Sequence, residues 1–170
     1  MAYWDTPGAS DEWYTPQEVF SALGCQFDLD VAPARQGADH VPAASRLTGD
    51  GLAEKWRGFV WMNPPFGGRN GLGPWLERFF AHGNGIALTP DRTSASPWFW
   101  PAWARADLVL FTRKIKFIRP DGSSGASPSN GTALWASGHA ATRALQAAAS
   151  GGFGILAKPL PSSPEVRHDL

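Results

Sequence analysis

The chain has 170 residues, with 15 Lys and Arg against 15 Asp and Glu and a formal net charge of zero. That length suits one domain with a real apolar core and argues against two, and the neutral balance means that any affinity for nucleic acid must come from a local patch. A lone cysteine, Cys25, excludes an internal disulfide framework and a cysteine-based metal site; with no apolar run near the roughly 18 residues of a membrane helix and no signal-peptide pattern, a soluble, cytoplasmic protein is expected.

In chain order, residues 1–11 are polar and without periodicity and are expected to form a flexible arm, residues 12–158 the folded domain, and the proline- and serine-rich residues 159–170 a flexible tail. Thr15-Pro16-Gln17-Glu18 has the form of a capping box with Thr15 as N-cap, Pro16 at the first helical position and Glu18 reaching back. Val19, Phe20 and Leu23 then supply the apolar face of a short helix over residues 16–23, ended by Gly24. Residues 27–31 read as a strand carrying Asp28 and Asp30. Residues 32–50 are small, polar and turn-rich, and no long helix is expected there. Residues 59–62 are a continuous apolar run suited to a strand buried on both faces, stopped abruptly by Asn63-Pro64-Pro65.

Beyond a glycine-rich loop over residues 67–73, Leu72, Trp75, Leu76, Phe79 and Phe80 recur at helical spacing, and Ile86-Ala87-Leu88 begins another buried strand. Residues 96–105 read as a helix strained by Pro101, and residues 108–111 as a strand. Ile115-Lys116-Phe117-Ile118 and Thr132-Ala133-Leu134-Trp135 predict two strands flanking a Gly/Ser/Pro loop over residues 120–131. Alanine propensity predicts a helix over residues 140–149, and Ile155-Leu156 a last short strand. Strand and helix alternate through most of the chain, which implies an open α/β sheet with largely parallel strands.

In such sheets ligands bind at the carboxyl ends of strands, where Asn63-Pro64-Pro65-Phe66 follows the most apolar strand. Two consecutive prolines remove two backbone donors and stiffen the chain, so the Asn63 side chain and the Pro64 carbonyl can be held facing one point. Such a pair of acceptors suits an amine with two N–H donors, and Phe66 offers a flat face on which a planar ring could stack. The amine of adenine is a poor nucleophile because its lone pair is delocalised; acceptors on its hydrogens favour a pyramidal nitrogen and aim the lone pair at an incoming methyl group. Inside a duplex that atom is out of reach, so the base must be flipped out. A methyl donor such as S-adenosyl-L-methionine has no phosphate but carries an ammonium and a sulfonium, so acids serve it better than a phosphate-cradling loop. Asp28 and Asp30 are candidates for its ammonium or ribose and Asp50 for its adenine amine, although each acid taken singly also suits a cap or a solvated surface.

Five blocks, Trp13-Tyr14-Thr15-Pro16, Phe27-Asp28-Leu29-Asp30-Val31-Ala32, Asp50-Gly51-Leu52 with Trp56, Asn63-Pro64-Pro65-Phe66-Gly67 and Leu88-Thr89-Pro90-Asp91-Arg92-Thr93, occur in an order that resembles the phage DNA N6-adenine methyltransferase (Dam-type) family. The resemblance covers about residues 12–138. It implies a Rossmann-like S-adenosylmethionine-dependent methyltransferase fold with an open, mostly parallel sheet and an antiparallel edge strand, and a site-specific, adenine-specific activity on DNA. Carried over by motif, Asn63, Pro64 and Phe66 would hold the target adenine, with Pro65 between them, Thr15 and Pro16 would lie beside the cofactor, Asp30 near its methionine end and Asp50 near its adenine. For DNA contact the informative run is Arg105, Arg113, Lys114, Lys116 and Arg119, opposed only by Asp107 and joined by Arg92 if both reach the rim of the site. The four histidines show no metal-ligand spacing, and no metal is expected. An N4-cytosine or a protein-glutamine methyltransferase fits the same amine chemistry. The lack of a Gly-x-Gly after the first strand keeps open a nucleic-acid-binding module without cofactor.

Overall fold

Alternation of side chains along two short strands decides how the layers assemble. In β3 (Val60–Met62), Val60 and Met62 enter one core cluster and Trp61 the other, and the same split divides β4 (Gly85–Pro90), with Ile86 and Leu88 on one face and Ala87 on the other. A sheet apolar on both faces must be covered on both. One face is closed by α1 (Gln17–Leu23), through Val19, Phe20 and Leu23, and by α4 (His139–Ser150), through Ala141, Ala144, Leu145 and Ala148. The other is closed by α2 (Gly73–His82), through Leu76, Phe79 and Phe80, and by α3 (Phe99–Arg105), through Phe99 and Ala102. The computed structural model describes residues 14–34, 40–65, 71–95, 97–119, 121–125 and 131–160. The arm expected over residues 1–11, most of the tail expected over residues 159–170, and Phe66 lie outside the described residues.

With β1 (Phe27–Asp30), β2 (Ala43–Arg46), β5 (Leu108–Thr112), β6 (Thr132–Ser137) and β7 (Gly154–Ala157), the seven strands form one sheet in the order β2-β1-β3-β4-β6-β5-β7. β2, β1, β3 and β4 pair in parallel. β6 runs antiparallel to both β4 and β5, and β7 runs antiparallel along the outer side of β5. β7 is the expected antiparallel edge; the reversal of β6 inside the sheet goes beyond that expectation, because a hydrophobic pattern carries no sign of strand direction. Since β4 and β5 both oppose β6, β1 to β5 all end at the same edge of the sheet, which becomes the rim on which a site can be built.

One strand went unread and three expectations need correction. The stretch over residues 32–50 contains β2, whose residues alternate between half-buried and exposed; as an edge strand bonded only to β1 it needs little apolar content, and so it gives little signal. Residues 115–118 form no ladder: Ile115 is buried, Lys114 and Lys116 are exposed, and Ile118 makes isolated bridges to Tyr14 and Ser124. The third helix begins at Phe99 and not at Ser96, which places Pro101 in its first turn, where a backbone N–H has no intrahelical partner to lose. Finally, Pro16 and not Thr15 is the N-cap of α1, its extended backbone leading in with no side-chain cap; Val19 N–H donates to the Pro16 carbonyl at 3.1 Å, and Glu18 is exposed.

Candidate active site at the carboxyl rim of the sheet

Strand alternation sends Asn63, two residues beyond Trp61, to the face covered by α1. There Thr15 waits. The Asn63 Nδ2 donates to Thr15 Oγ1 at 3.0 Å, and Thr15 is only 4% exposed. The threonine that failed as a helix cap therefore holds the Asn63 amide. Its own backbone is fastened one residue earlier, where Tyr14 N–H donates to the Ile118 carbonyl at 2.9 Å and Ile118 N–H returns the bond to Tyr14 at 3.0 Å. Pro64 is buried and Pro65 exposed, and no described residue donates a hydrogen bond to Asn63 Oδ1 or to the Pro64 carbonyl. Two acceptors thus remain at the end of a buried central strand.

The neighbouring strand end is acidic. Register pairs Leu29 with Val60 and Asp30 with Trp61, so Ala32 is level with Asn63. Asp30 is 2% exposed, and its Oδ1 accepts from Ala32 N–H at 3.1 Å, shaping the turn out of β1. Asp50 stands in the loop that passes over this turn: its Oδ1 accepts from Leu52 N–H at 2.9 Å, and its carbonyl accepts from the Ala53 and Glu54 amides, each at 2.9 Å. Only glycine fits at the next position, because a Cβ on Gly51 would lie 2.2 Å from the Val31 carbonyl and 2.6 Å from the Trp75 ring. The loop is clamped to α2 as well. The Trp56 indole N–H donates to the Gly51 carbonyl at 2.7 Å, Trp56 stacks on Trp75 with centroids 6.4 Å apart, and the Arg78 guanidinium lies 5.1 Å from the Trp56 ring while donating to the Leu52 carbonyl at 2.8 Å and to the Glu54 carbonyl. This clamp escaped sequence reasoning; its signal was the pair of tryptophans, one in the Asp50-Gly51-Leu52 block and one at helical spacing, whose contact the sequence does not show.

Asp28 does not join the rim. Its Oδ2 accepts from Phe59 N–H at 2.7 Å, level with the entrance of β3, and packs against Gly58, whose φ of +66° and lack of Cβ that close approach requires. The structural role accounts for its chemistry. Asp30 ends β1 beside the strand that leads to Asn63 and Pro64, and Asp50 stands in the loop that packs on the turn leaving β1.

The basic residues divide in the same way. Arg113 and Lys114 leave the carboxyl end of β5 and are exposed, as is Lys116 beyond the buried Ile115, and Arg92 sits in the loop that leaves β4. These lie at the rim. Arg105 ends α3 at the opposite edge of the sheet, over the Phe80 ring at 5.4 Å, and Asp107 there accepts from Gly138 N–H at 2.7 Å, so the run from Arg105 to Arg119 is split by the fold. Arg119 closes a tight turn with Ser123, in which Asp121 accepts from the Ser123 hydroxyl at 2.6 Å and amide at 2.8 Å. Those bonds hold the Asp121 carboxyl below its ordinary range. Away from the rim, burial pushes the Cys25 thiol up to about 11. Among the described residues no cluster of His, Cys, Asp and Glu could hold a metal ion, and no helix is long and apolar enough to cross a membrane.

No curated protein and no solved structure matches the chain. A family model does: that of the DNA N-6-adenine-methyltransferases (Dam) matches residues 5–135, a span that holds the carboxyl ends of β1 to β5 and stops within β6. A mixed α/β sheet of seven strands with a parallel half, ending in paired acceptors and acids at one edge, is compatible with that family's chemistry. The chain belongs to the DNA N-6-adenine-methyltransferase (Dam) family.

Proposed function

We propose that the protein transfers a methyl group from S-adenosyl-L-methionine to the N6 amine of an adenine flipped out of DNA, on a Rossmann-like methyltransferase scaffold. The observation that carries this reading is the Asn63 amide, fixed by Thr15 at the end of a buried strand with Oδ1 and the Pro64 carbonyl without donors among the described residues. Those two oxygens accept the two N6 hydrogens. Both bonds strengthen as positive charge develops on the nitrogen, so they lower the barrier more than they tighten ground-state binding. The N6–CH3 bond forms as the sulfur–methyl bond breaks, and the proton lost from N6 leaves to solvent. Phe66, two residues beyond Pro64, is assigned the stacking face that offsets part of the unstacking cost.

The residues at the rim fit the cofactor. S-adenosyl-L-methionine, which supplies an activated methyl group when bound, has no phosphate and is matched by hydrogen-bond acceptors. Asp30 and Asp50 provide them, the first at the end of β1 and the second in the loop beside it. Thr15 accepts from Asn63 through Oγ1 and retains its own hydroxyl proton to donate toward the cofactor, beside Pro16. Arg92, Arg113, Lys114 and Lys116 are assigned to phosphates flanking the target.

The test is incubation with methyl-labelled S-adenosylmethionine and unmethylated DNA, followed by digestion to nucleosides. N6-methyladenine is the expected product, and Asn63→Ala abolishes it while DNA binding survives. Label in N4-methylcytosine, on protein alone, or in no nucleoside from folded enzyme overturns the reading.

A further inference from the structure

Among the described residues, three large apolar side chains are notably exposed: Ile155 and Leu160 near the chain's C-terminal edge, and Trp100, which is 65% exposed. Trp100 differs from the other two in where it stands and in how it is held. It belongs to the first turn of α3, whose neighbours Phe99 and Ala102 are buried against the sheet, so the helix fixes which way the indole faces. Its N–H donates to the Thr93 carbonyl at 2.9 Å. Thr93 lies in the loop that leaves β4 at the carboxyl rim, and the turn is tied by Thr93 N–H to the Asp91 carbonyl at 2.9 Å and Ala95 N–H to the Arg92 carbonyl at 2.9 Å. β4 is the parallel neighbour of β3, the strand that ends in Asn63.

An indole whose one polar atom is already satisfied has only its faces left to offer. Leaving so large an apolar surface in water is unfavourable, and an indole held in place by its N–H keeps that surface preorganised for a flat partner. Flipping a base out of a duplex leaves the adjoining bases without a stacking partner, which creates that flat surface at the rim. We propose that Trp100, anchored to the loop that leaves β4 at the carboxyl rim, is a stacking platform for an unstacked nucleobase of the DNA substrate, with Arg92 of that loop on the phosphate side. The inference rests on the proposed DNA reading of the site and adds a base contact that the motifs do not assign. It is a contact to the base and not to the backbone, so it carries no counterion release.

The test measures binding of fluorescein-labelled mixed-sequence DNA to wild type, Trp100→Ala and Trp100→Phe over a range of salt, together with methyl transfer to unmethylated genomic DNA and thermal unfolding. Trp100→Ala is expected to weaken binding roughly ten-fold, within the range measured for base–aromatic stacking, with the salt dependence unchanged and the melting temperature lowered by no more than the roughly 2–4 °C of one lost hydrogen bond. Trp100→Phe, which keeps an aromatic face without the Thr93 bond, recovers most of the affinity. Equal affinity for wild type and Trp100→Ala overturns the proposal while leaving the methyl-transfer reading intact, and a simultaneous shift to a smaller species in sedimentation would assign the indole to a protein contact. If Trp100→Phe binds as weakly as Trp100→Ala, the Thr93 anchor and not stacking is responsible, and the proposal falls. A wild-type enzyme that labels no adenine and binds no DNA removes both readings.

Discussion

Replacing Thr15 with valine removes the hydroxyl on which the site turns. Valine has nearly the same outline but no hydroxyl, so at a side chain only 4% exposed what is lost is the acceptor 3.0 Å from Asn63 Nδ2, together with the hydroxyl proton assigned to the cofactor, whose loss saturating cofactor offsets. One neutral hydrogen bond contributes about 1 kcal/mol to stability, which for a chain of this size lowers the melting temperature by roughly 2–4 °C. The effect on rate is larger. Without Thr15 the half-buried amide rotates to find water, and Oδ1 no longer meets the N6 hydrogen in the geometry needed at the transition state. A misplacement on the order of 1 Å costs up to about 100-fold, so kcat for methyl transfer is expected to fall by about 10- to 100-fold while KM for DNA changes little. Thr15→Ser keeps the oxygen and should remain within a few-fold of wild type. The assay is steady-state transfer of labelled methyl to DNA at saturating cofactor, beside thermal unfolding. Full kcat in a folded Thr15→Val enzyme would refute the positioning role, and equal loss in the serine and valine variants would move it to packing of the methyl group.

The split of the basic run is open to measurement through salt dependence. Arg113→Gln and Lys114→Gln should each reduce the slope of log K against log salt by about one, whereas Arg105→Gln, at the far edge of the sheet, should leave it unchanged; a slope that falls with Arg105 would contradict the placement of the DNA on the carboxyl rim. Cys25, whose thiol is pushed up to about 11 by burial, should react slowly with iodoacetamide at pH 8 in the folded protein. Because its folded value lies above the unfolded one, its contribution to stability is fully present below the unfolded thiol value and is lost as pH rises toward the folded value, so the urea midpoint should drop between pH 8 and pH 10 in wild type more than in Cys25→Ala. Alkylation at the rate of a free thiol at pH 8 would show the side chain to be solvated.

Much of the scaffold is visible in the linear chain because local pattern and tertiary role coincide. The run before Asn63 is apolar without alternation because β3 is covered on both faces, and Gly24 and Gly83 mark helix ends because both adopt left-handed backbone there. The two prolines after Asn63 announce a stiff turn whatever surrounds them. β2 stayed hidden because an edge strand such as Ala43–Arg46 buries little, and Ile115-Lys116-Phe117-Ile118 imitated a strand because one buried isoleucine between exposed lysines gives the same alternation without a ladder.

What the sequence by itself determined is the chemistry of the turn: an amide, a carbonyl followed by a proline that has no N–H, and acids earlier in the chain follow from residue type and spacing. Which of those groups meet was decided only by the tertiary structure. Thr15 and Asn63 are 48 positions apart and touch because α1 and β3 share one face of the sheet; Asp28, only two positions from Asp30, is level with the entrance of β3 and bonded to Phe59. Parallel pairing brings the ends of distant strands to one rim and separates near neighbours along a strand, and neither register nor strand direction can be read from local pattern.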